Sequence, residues 1–147
     1  MTPGTDIFLS DRDAAWTDAV SRVHGVALAI DYVHTRERRP FHGSLRSYAG
    51  GREVDVIPDG KRDVTAHVAI DSATSGVDAT LMSQRDALVA LGVDATRPPQ
   101  SLASTDPAAY VRALSRATQA AELLARGGWG DYTWASSDTR VHGRMSS

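Results

Sequence analysis

Four residues capable of acid–base chemistry stand in two pairs along the chain, Asp31 with His34 and Asp63 with His67. Neutral imidazoles and carboxylates together can bind zinc, iron or manganese. A carboxylate can also orient a histidine for general acid–base catalysis near neutral pH. In a helix, Asp63 and His67 would share one face at four-residue spacing. No nucleophile motif accompanies either pair, so a metal site, an acid–base dyad and ordinary surface hydrogen bonds all stay open.

The first pair lies at the end of an apolar run, VALAID, which occupies Val26–Asp31. Continuous apolar character is typical of a strand that is covered on both faces, as in a parallel sheet with helices above and below. Open α/β sheets bind ligands in the crevice beyond the carboxyl ends of their strands. The sequence therefore predicts an α/β fold in which Asp31 and the residues after it line such a crevice.

Periodicity and stop signals predict the remaining elements of a single domain spanning residues 1–147. In chain order they are a helix from Ser10 to Gly25, a long loop over 35–51, a strand over 54–57, a helix that Asp63 or Thr65 caps and that ends near Gly76, a short strand VDATLM, a helix capped by Ser83 with Asp86, a linker over 93–105, a helix from Asp106 to Arg126, a strand over 131–136 and a disordered tail over 138–147.

Composition narrows the function classes. The 147 residues carry a formal net charge of -2, which gives no reason to expect a nucleic acid or an anionic membrane as partner. The chain has no cysteine, which excludes disulfides, thiolate metal sites and cysteine nucleophiles. No apolar run is long enough to span a bilayer, and the first residues do not resemble a secretory signal, so we expect a cytoplasmic protein.

Other candidate motifs are weaker. The basic stretch RERRP at 36–40 could bind phosphate, but a solvated basic loop that contains Glu37 is the favoured interpretation. The aromatic residues Tyr48, Trp129 and Trp134 could stack on a planar ligand, but such residues usually belong to a core. Neither a GxGxxG motif nor a P-loop is present, since no glycine cluster stands between a predicted strand and a predicted helix.

Four ordered stretches nevertheless resemble one family. ALAIDYVH, GSLRSYAGGREVDV, DVTAHV and SQRDALVALGV are similar to the second half of the MidA-like S-adenosylmethionine-dependent methyltransferases, and the resemblance covers roughly residues 10–136. Departures are Val33 where the family tends to have glycine, Gly51 where histidine is usual, and Ala69 where an acidic or amide residue is usual.

The resemblance implies a partial Rossmann-like methyltransferase sheet, its C-terminal half, with helices on both faces and a final antiparallel pair formed by VDATLM and DYTWAS. It also implies methyl transfer from S-adenosylmethionine to a nitrogen, namely an arginine guanidinium of a protein substrate. The matched positions assign catalytic roles to Asp31, Tyr32, His34, Asp63 and His67, and substrate binding to Arg46, Tyr48 and Thr65.

In such methyltransferases the glycine-rich cofactor loop precedes all of these motifs, so the resemblance assigns no cofactor-binding residue here. It predicts instead a truncated or partial chain, whose partner is either the missing N-terminal half or another copy in a homo-oligomer. Two alternatives stay open. One is a non-catalytic protein-interaction module, and the other is a metal-dependent hydrolase built on the two carboxylate–imidazole pairs.

Overall fold

The computed structural model describes residues 9–139, with side chains from Asp11 onward. The chain forms two compact units, of which one contains the residues up to Thr80 together with those from Ala135, and the other is Leu81–Trp134. Both contain helices and strands, which confirms a mixed α/β fold. Of the tail predicted to be disordered, Asp138 ends a strand and the Thr139 amide donates to the Gly25 carbonyl, whereas 140–147 lie outside the described residues.

The first unit carries the short strands around the predicted crevice. Its elements are α1 (Leu9–Ser21), β1 (Val26–Asp31), β2 (Val33–His34), β3 (Arg46–Ala49), β4 (Arg52–Val54), β5 (Asp63–Thr65), β6 (Val68–Ala69) and α2 (Ile70–Ala73). β2 pairs in parallel with β6, and β3 lies between β4 and β5 in an antiparallel sheet. A third sheet has the order β1-β8-β7, with β7 at Thr80–Ser83 and β8 at Thr133–Asp138. The predicted pair of VDATLM with DYTWAS is therefore present.

The burial of β1 differs from the prediction of a strand covered on both faces. Val26, Leu28 and Ile30 are exposed, while Ala27 and Ala29 are half-buried. Residues two apart share one face of a strand, so one apolar face of β1 is open and the alanine face is packed. Apolar composition shows that both faces of a strand can be buried. It does not show that both faces are buried in this structure.

The hairpin of β3 and β4 was absent from the sequence prediction, which placed a loop over 35–51 and a strand over 54–57. Ala49 pairs with Arg52, so the turn consists of Gly50 and Gly51 alone. Their φ angles are 58° and 73°. Two consecutive positive φ values define the type I′ turn, whose twist matches that of a two-stranded hairpin. Gly-Gly between two short extended segments was the signal for it.

Replacing Gly51 with valine is expected to destabilise the β3–β4 hairpin by about 1–2 kcal/mol, because a β-branched residue is strained in the left-handed region. Gly50→Asn is the matched control, since Asn-Gly is a preferred type I′ sequence. Native-state amide exchange at Ser47 and Val54, which pair across the hairpin, measures the difference. Equal protection in the two variants would contradict the assigned turn.

The helix predicted after Asp63 or Thr65 is wrong over most of its length. Asp63–Thr65 forms β5, Val68–Ala69 forms β6, and only Ile70–Ala73 is helical. The stretch DVTAHV has weak helix formers, and its backbone groups pair with β3 and β2 instead. Asp63 and His67 therefore do not share a helix face.

The second unit has the helices that local capping signals predicted. It contains α3 (Gln84–Ala90), α4 (Ser101–Thr105), α5 (Pro107–Leu123) and a 3₁₀ turn at Trp129–Asp131. The Ser83 hydroxyl accepts from the Asp86 amide at 3.1 Å, and the Asp106 carboxylate accepts from the Ala109 amide at 2.9 Å. α4 lies inside the predicted linker, and α5 ends three residues before Arg126.

Gln84 joins the elements of this unit. Its side chain is buried, with its amide nitrogen 2.9 Å from the Trp129 carbonyl and its amide oxygen accepting from the Trp134 indole at 3.3 Å. A buried amide with both ends paired is costly to replace. The glutamine of the SQRDALVALGV motif thus has a structural role in this chain.

Candidate functional site

The end of β1 brings Tyr32 and His67 together. Their rings stack with centroids 5.8 Å apart and planes inclined by 23°. Two backbone contacts hold them in place: the Val68 amide donates to the Tyr32 carbonyl at 2.8 Å, and the His67 amide donates to the Ser44 hydroxyl at 2.9 Å. Both rings belong to exposed residues. A stacked tyrosine and histidine at a strand end form a flat aromatic surface open to a large ligand.

Asp31 and His34 flank this stack along the chain. The Asp31 carboxylate accepts from the Tyr32 amide at 2.7 Å, and Nδ1 of His34 lies 3.3 Å from the Thr35 carbonyl. Within residues 9–139, no hydrogen bond or ion pair joins Asp31 to His34 or Asp63 to His67. The two sequence pairs are thus not paired in space as carboxylate–imidazole dyads.

A second group of predicted residues shares one face of the β3–β4–β5 sheet. Arg46 lies opposite Thr65, and Tyr48 lies opposite Asp63. Paired residues and residues two apart on one strand point to the same side, so these four side chains share a face. All four are exposed. The opposite face holds Ser47, which is fully buried and whose hydroxyl has no hydrogen-bond partner in the described structure.

The sequence prediction missed a fifth member of this face, Glu53. It lies opposite Tyr48, and its Oε1 is 3.4 Å from Nε of Arg46. At an exposed position such an ion pair contributes little stability, but it orients the guanidinium. Glu53 and Asp63 place carboxylates on both sides of Tyr48, a combination of aromatic face and negative charge that suits a cation. Recognising the Gly50-Gly51 turn in the sequence would have placed Glu53 here.

Asp71, at the start of α2, ties down the segment that follows His34. Its Oδ2 accepts from the Arg36 amide at 2.8 Å and its Oδ1 from the Ser72 amide at 3.0 Å. The Arg36 hydrogen bond is the main reason that the pKa of Asp71 lies below its ordinary value, with smaller lowering from the Ser72 bond and from the charge of His34. The hydrogen bond between Asp71 and the Arg36 amide, which we call the Asp71 latch, holds the chain directly after the Tyr32–His67 stack in place.

This latch is expected to open in acid. A carboxyl group with a lowered folded-state pKa stabilises the fold above its unfolded pKa, and the stabilisation is lost as pH falls through the folded value. The Arg36 amide proton should therefore shift upfield in NMR spectra with a midpoint below 3.8, the ordinary carboxyl value. Asp71→Asn should abolish that titration. A midpoint above 3.8, or an unchanged titration in the variant, would contradict the latch.

Among residues 9–139 no group of three or more His, Asp and Glu side chains could hold a metal ion. The helices described here include none long and apolar enough to cross a membrane. A cleft of about 680 Å³ in the first unit is lined by residues that include His24, Val77 and Asp78. None of the sequence-predicted site residues lines it.

Two solved structures from Burkholderia thailandensis have a similar fold. One is an uncharacterised COG1565 superfamily protein, with a TM-score of 0.70, 21% identity, and coverage of 88% of this chain and 37% of that one. The other is a COG1565 superfamily member, described as a "likely methyl transferase" and bound to S-adenosyl-homocysteine, with a TM-score of 0.68, 21% identity, and coverage of 88% and 36%. This chain therefore spans little more than a third of the length of either protein.

The fold shared over 88% of this chain confirms the predicted resemblance at the level of fold. No protein-family model matches the sequence. No curated protein matches it either.

Proposed function

We propose that this chain forms the acceptor-binding part of an S-adenosylmethionine-dependent protein methyltransferase with a Rossmann-like sheet, and that the acceptor is an arginine guanidinium. The observation that carries the proposal is the fold shared over 88% of the chain with the protein bound to S-adenosyl-homocysteine. S-adenosylmethionine supplies an electrophilic methyl group. The remaining task, binding and aiming a cationic acceptor, falls to side chains of the kind found here.

The described residues do not themselves build a cofactor site. A nucleotide-type cradle places glycines between a strand and the start of a helix. Here Gly50 and Gly51 form a hairpin turn, and Gly127 has a φ of 71° just after the end of α5. The proposed cofactor contacts therefore come from polypeptide beyond the described part of this chain, and we assign none of its residues to the cofactor.

Exposure of the residue group around Tyr48 supports a protein acceptor. Small-molecule sites are usually enclosed, whereas Tyr48 is 40% exposed. In the proposal, the Asp31 carboxylate binds the positively charged guanidinium of the acceptor arginine. The Tyr32–His67 stack contacts the planar face of that guanidinium. The outer face with Arg46, Tyr48, Thr65 and Asp63 binds the flanking peptide, and His34 orients the segment between them.

The test uses two polypeptides. One is this chain, and the other, the complementing fragment, is the part of the Burkholderia thailandensis protein bound to S-adenosyl-homocysteine that lies outside the superposed 36%. Isothermal titration of S-adenosylmethionine is expected to show binding by the co-expressed pair and none by this chain alone. The pair should then form methylarginine in heat-treated cell extract supplied with S-adenosylmethionine labelled in its methyl group.

The matched comparison is Tyr32→Ala, which removes the aromatic stack, against Tyr110→Ala on α5. Only the first should abolish methylarginine formation. A pair that binds the cofactor but methylates no protein would reject the proposed activity. Complex formation without either cofactor binding or methyl transfer would instead favour the non-catalytic interaction module.

A further inference from the structure

The open face of β1 forms a continuous apolar stripe. Val26, Leu28, Ile30 and Tyr32 are 56%, 46%, 45% and 42% exposed, respectively. They are spaced two residues apart, so they follow one face of the strand into the segment before β2. We name these four residues the β1 stripe. The intervening Ala27 and Ala29 are half-buried on the other face.

A stripe of this kind differs from scattered surface hydrophobics. Single exposed apolar residues are normal on any protein surface, whereas contiguous ones mark an interaction site. Three successive residues of the stripe are aliphatic, and no charged residue interrupts it before Asp31. Strands that are apolar on both faces are normally buried on both faces. Within residues 9–139, Val26, Leu28 and Ile30 stay exposed on this face of β1, where a strand of such composition is normally covered.

We infer that the β1 stripe is the surface on which the cofactor-carrying part of the methyltransferase fold packs, through an apolar helical or strand surface of that polypeptide. This inference rests on the proposed function. Two observations identify the occupant. The solved proteins of the same fold are nearly three times as long as the matched part, and one holds S-adenosyl-homocysteine, while the described residues of this chain offer no glycine cradle for such a group.

The position of the stripe supports the same occupant. Its last residue, Tyr32, stacks on His67 at 5.8 Å, so a polypeptide that packs along the stripe ends beside the proposed acceptor groups. Methyl transfer requires donor and acceptor to be held within contact distance in a fixed orientation.

The absence of cysteine from the sequence permits a direct test by single-cysteine labelling. Leu28→Cys places a thiol on the stripe, and Val111→Cys places one on α5 at a residue that is 64% exposed. Both thiols should react readily with maleimide in the chain alone. In the pair with the complementing fragment, the Leu28→Cys thiol is expected to react at least about tenfold more slowly, because reaction requires access to the thiolate, while the Val111→Cys thiol keeps its rate.

A charge on the stripe should weaken the pair. Leu28→Asp is expected to raise the Kd for the complementing fragment by about 30-fold, the effect typical of a central interface residue, and Val111→Asp should leave it unchanged. A pair that forms with the Leu28→Cys thiol still reactive would overturn the inference, as would the absence of any complex. Concentration-dependent protection in the chain alone would identify a second copy as the occupant and would also overturn it.

These outcomes separate the inference from the proposed function. If the stripe is protected and the cofactor binds but no methylarginine forms, the proposed activity fails and the surface assignment stands. If methylarginine forms while the stripe stays reactive, the surface assignment fails and the activity stands.

Discussion

Replacing Gly130 with alanine is expected to lower the free energy of unfolding of the unit Leu81–Trp134 by about 3 kcal/mol, through overpacking against rigid backbone. Gly130 is buried in the 3₁₀ turn, and its amide donates to the Ala125 carbonyl at 3.0 Å. A methyl group added there would lie 2.7 Å from the Ala125 carbonyl oxygen and from two backbone atoms of Leu124. Those atoms end α5, so they cannot rotate away.

Gly128→Ala is the matched control for this prediction. A methyl group at Gly128 would meet the Ala125 carbonyl oxygen at 3.8 Å and its Cβ at 3.9 Å, which are ordinary contacts. Urea unfolding followed by tryptophan fluorescence reports chiefly on this unit, because two of the three tryptophans, Trp129 and Trp134, lie in it. Equal midpoints for the two variants would show that the close approach of the turn to α5 is not as described.

The combined change Asp31→Asn and His67→Ala is expected to lower kcat/KM for methyl transfer by about 100-fold, which corresponds to the loss of one charged hydrogen bond together with a stacking contact. Asparagine retains an oxygen that can accept from the Tyr32 amide, 2.7 Å away, so the strand end should keep its shape while losing its charge. Alanine removes the ring that stacks on Tyr32 at 5.8 Å.

The control for the double variant is Asp55→Asn with His42→Ala, which makes the same chemical changes at exposed residues of the same unit. The readout is steady-state methylarginine formation by the pair with the complementing fragment, after assembly and cofactor binding have been verified. Since protein acceptors bind partly through other contacts, the loss should appear in kcat as well as KM. Unchanged methyl transfer in the Asp31 and His67 variant would make the site assignment wrong.

The two residue groups of the candidate site differ in what they require of the fold. Tyr32 depends on β1 ending at Asp31 and on β6 lying beside β2. The outer face depends only on the register of β3 with β4 and β5, in which Tyr48 lies opposite both Glu53 and Asp63. A register slip of one residue would turn that whole set to the other side. The type I′ turn sets the register of β3 with β4, so it determines the place of Glu53 in the site.

Local chemistry determined part of this structure from the sequence alone. Ser83 and Asp106 cap the helices that their side chains predicted, because a cap needs only an acceptor oxygen and the amides of the next turn. The strand VALAID and the break of α5 before Gly127 also follow from local apolar content and glycine. The ordered motifs indicated a resemblance to the MidA-like methyltransferases, and two solved COG1565 superfamily proteins share the fold of this chain.

Tertiary structure decided the rest, because partners distant in the chain determine it. DVTAHV forms strands since β3 and β2 provide backbone partners, which outweigh a local helical pattern. Glu53 joins the candidate site through cross-strand register, and Gln84 is buried because the carbonyl of Trp129 and the indole of Trp134 meet it. The β1 stripe is exposed for the same reason. Apolar residues specify that a surface can be buried, but only the arrangement of packed elements specifies which surfaces are.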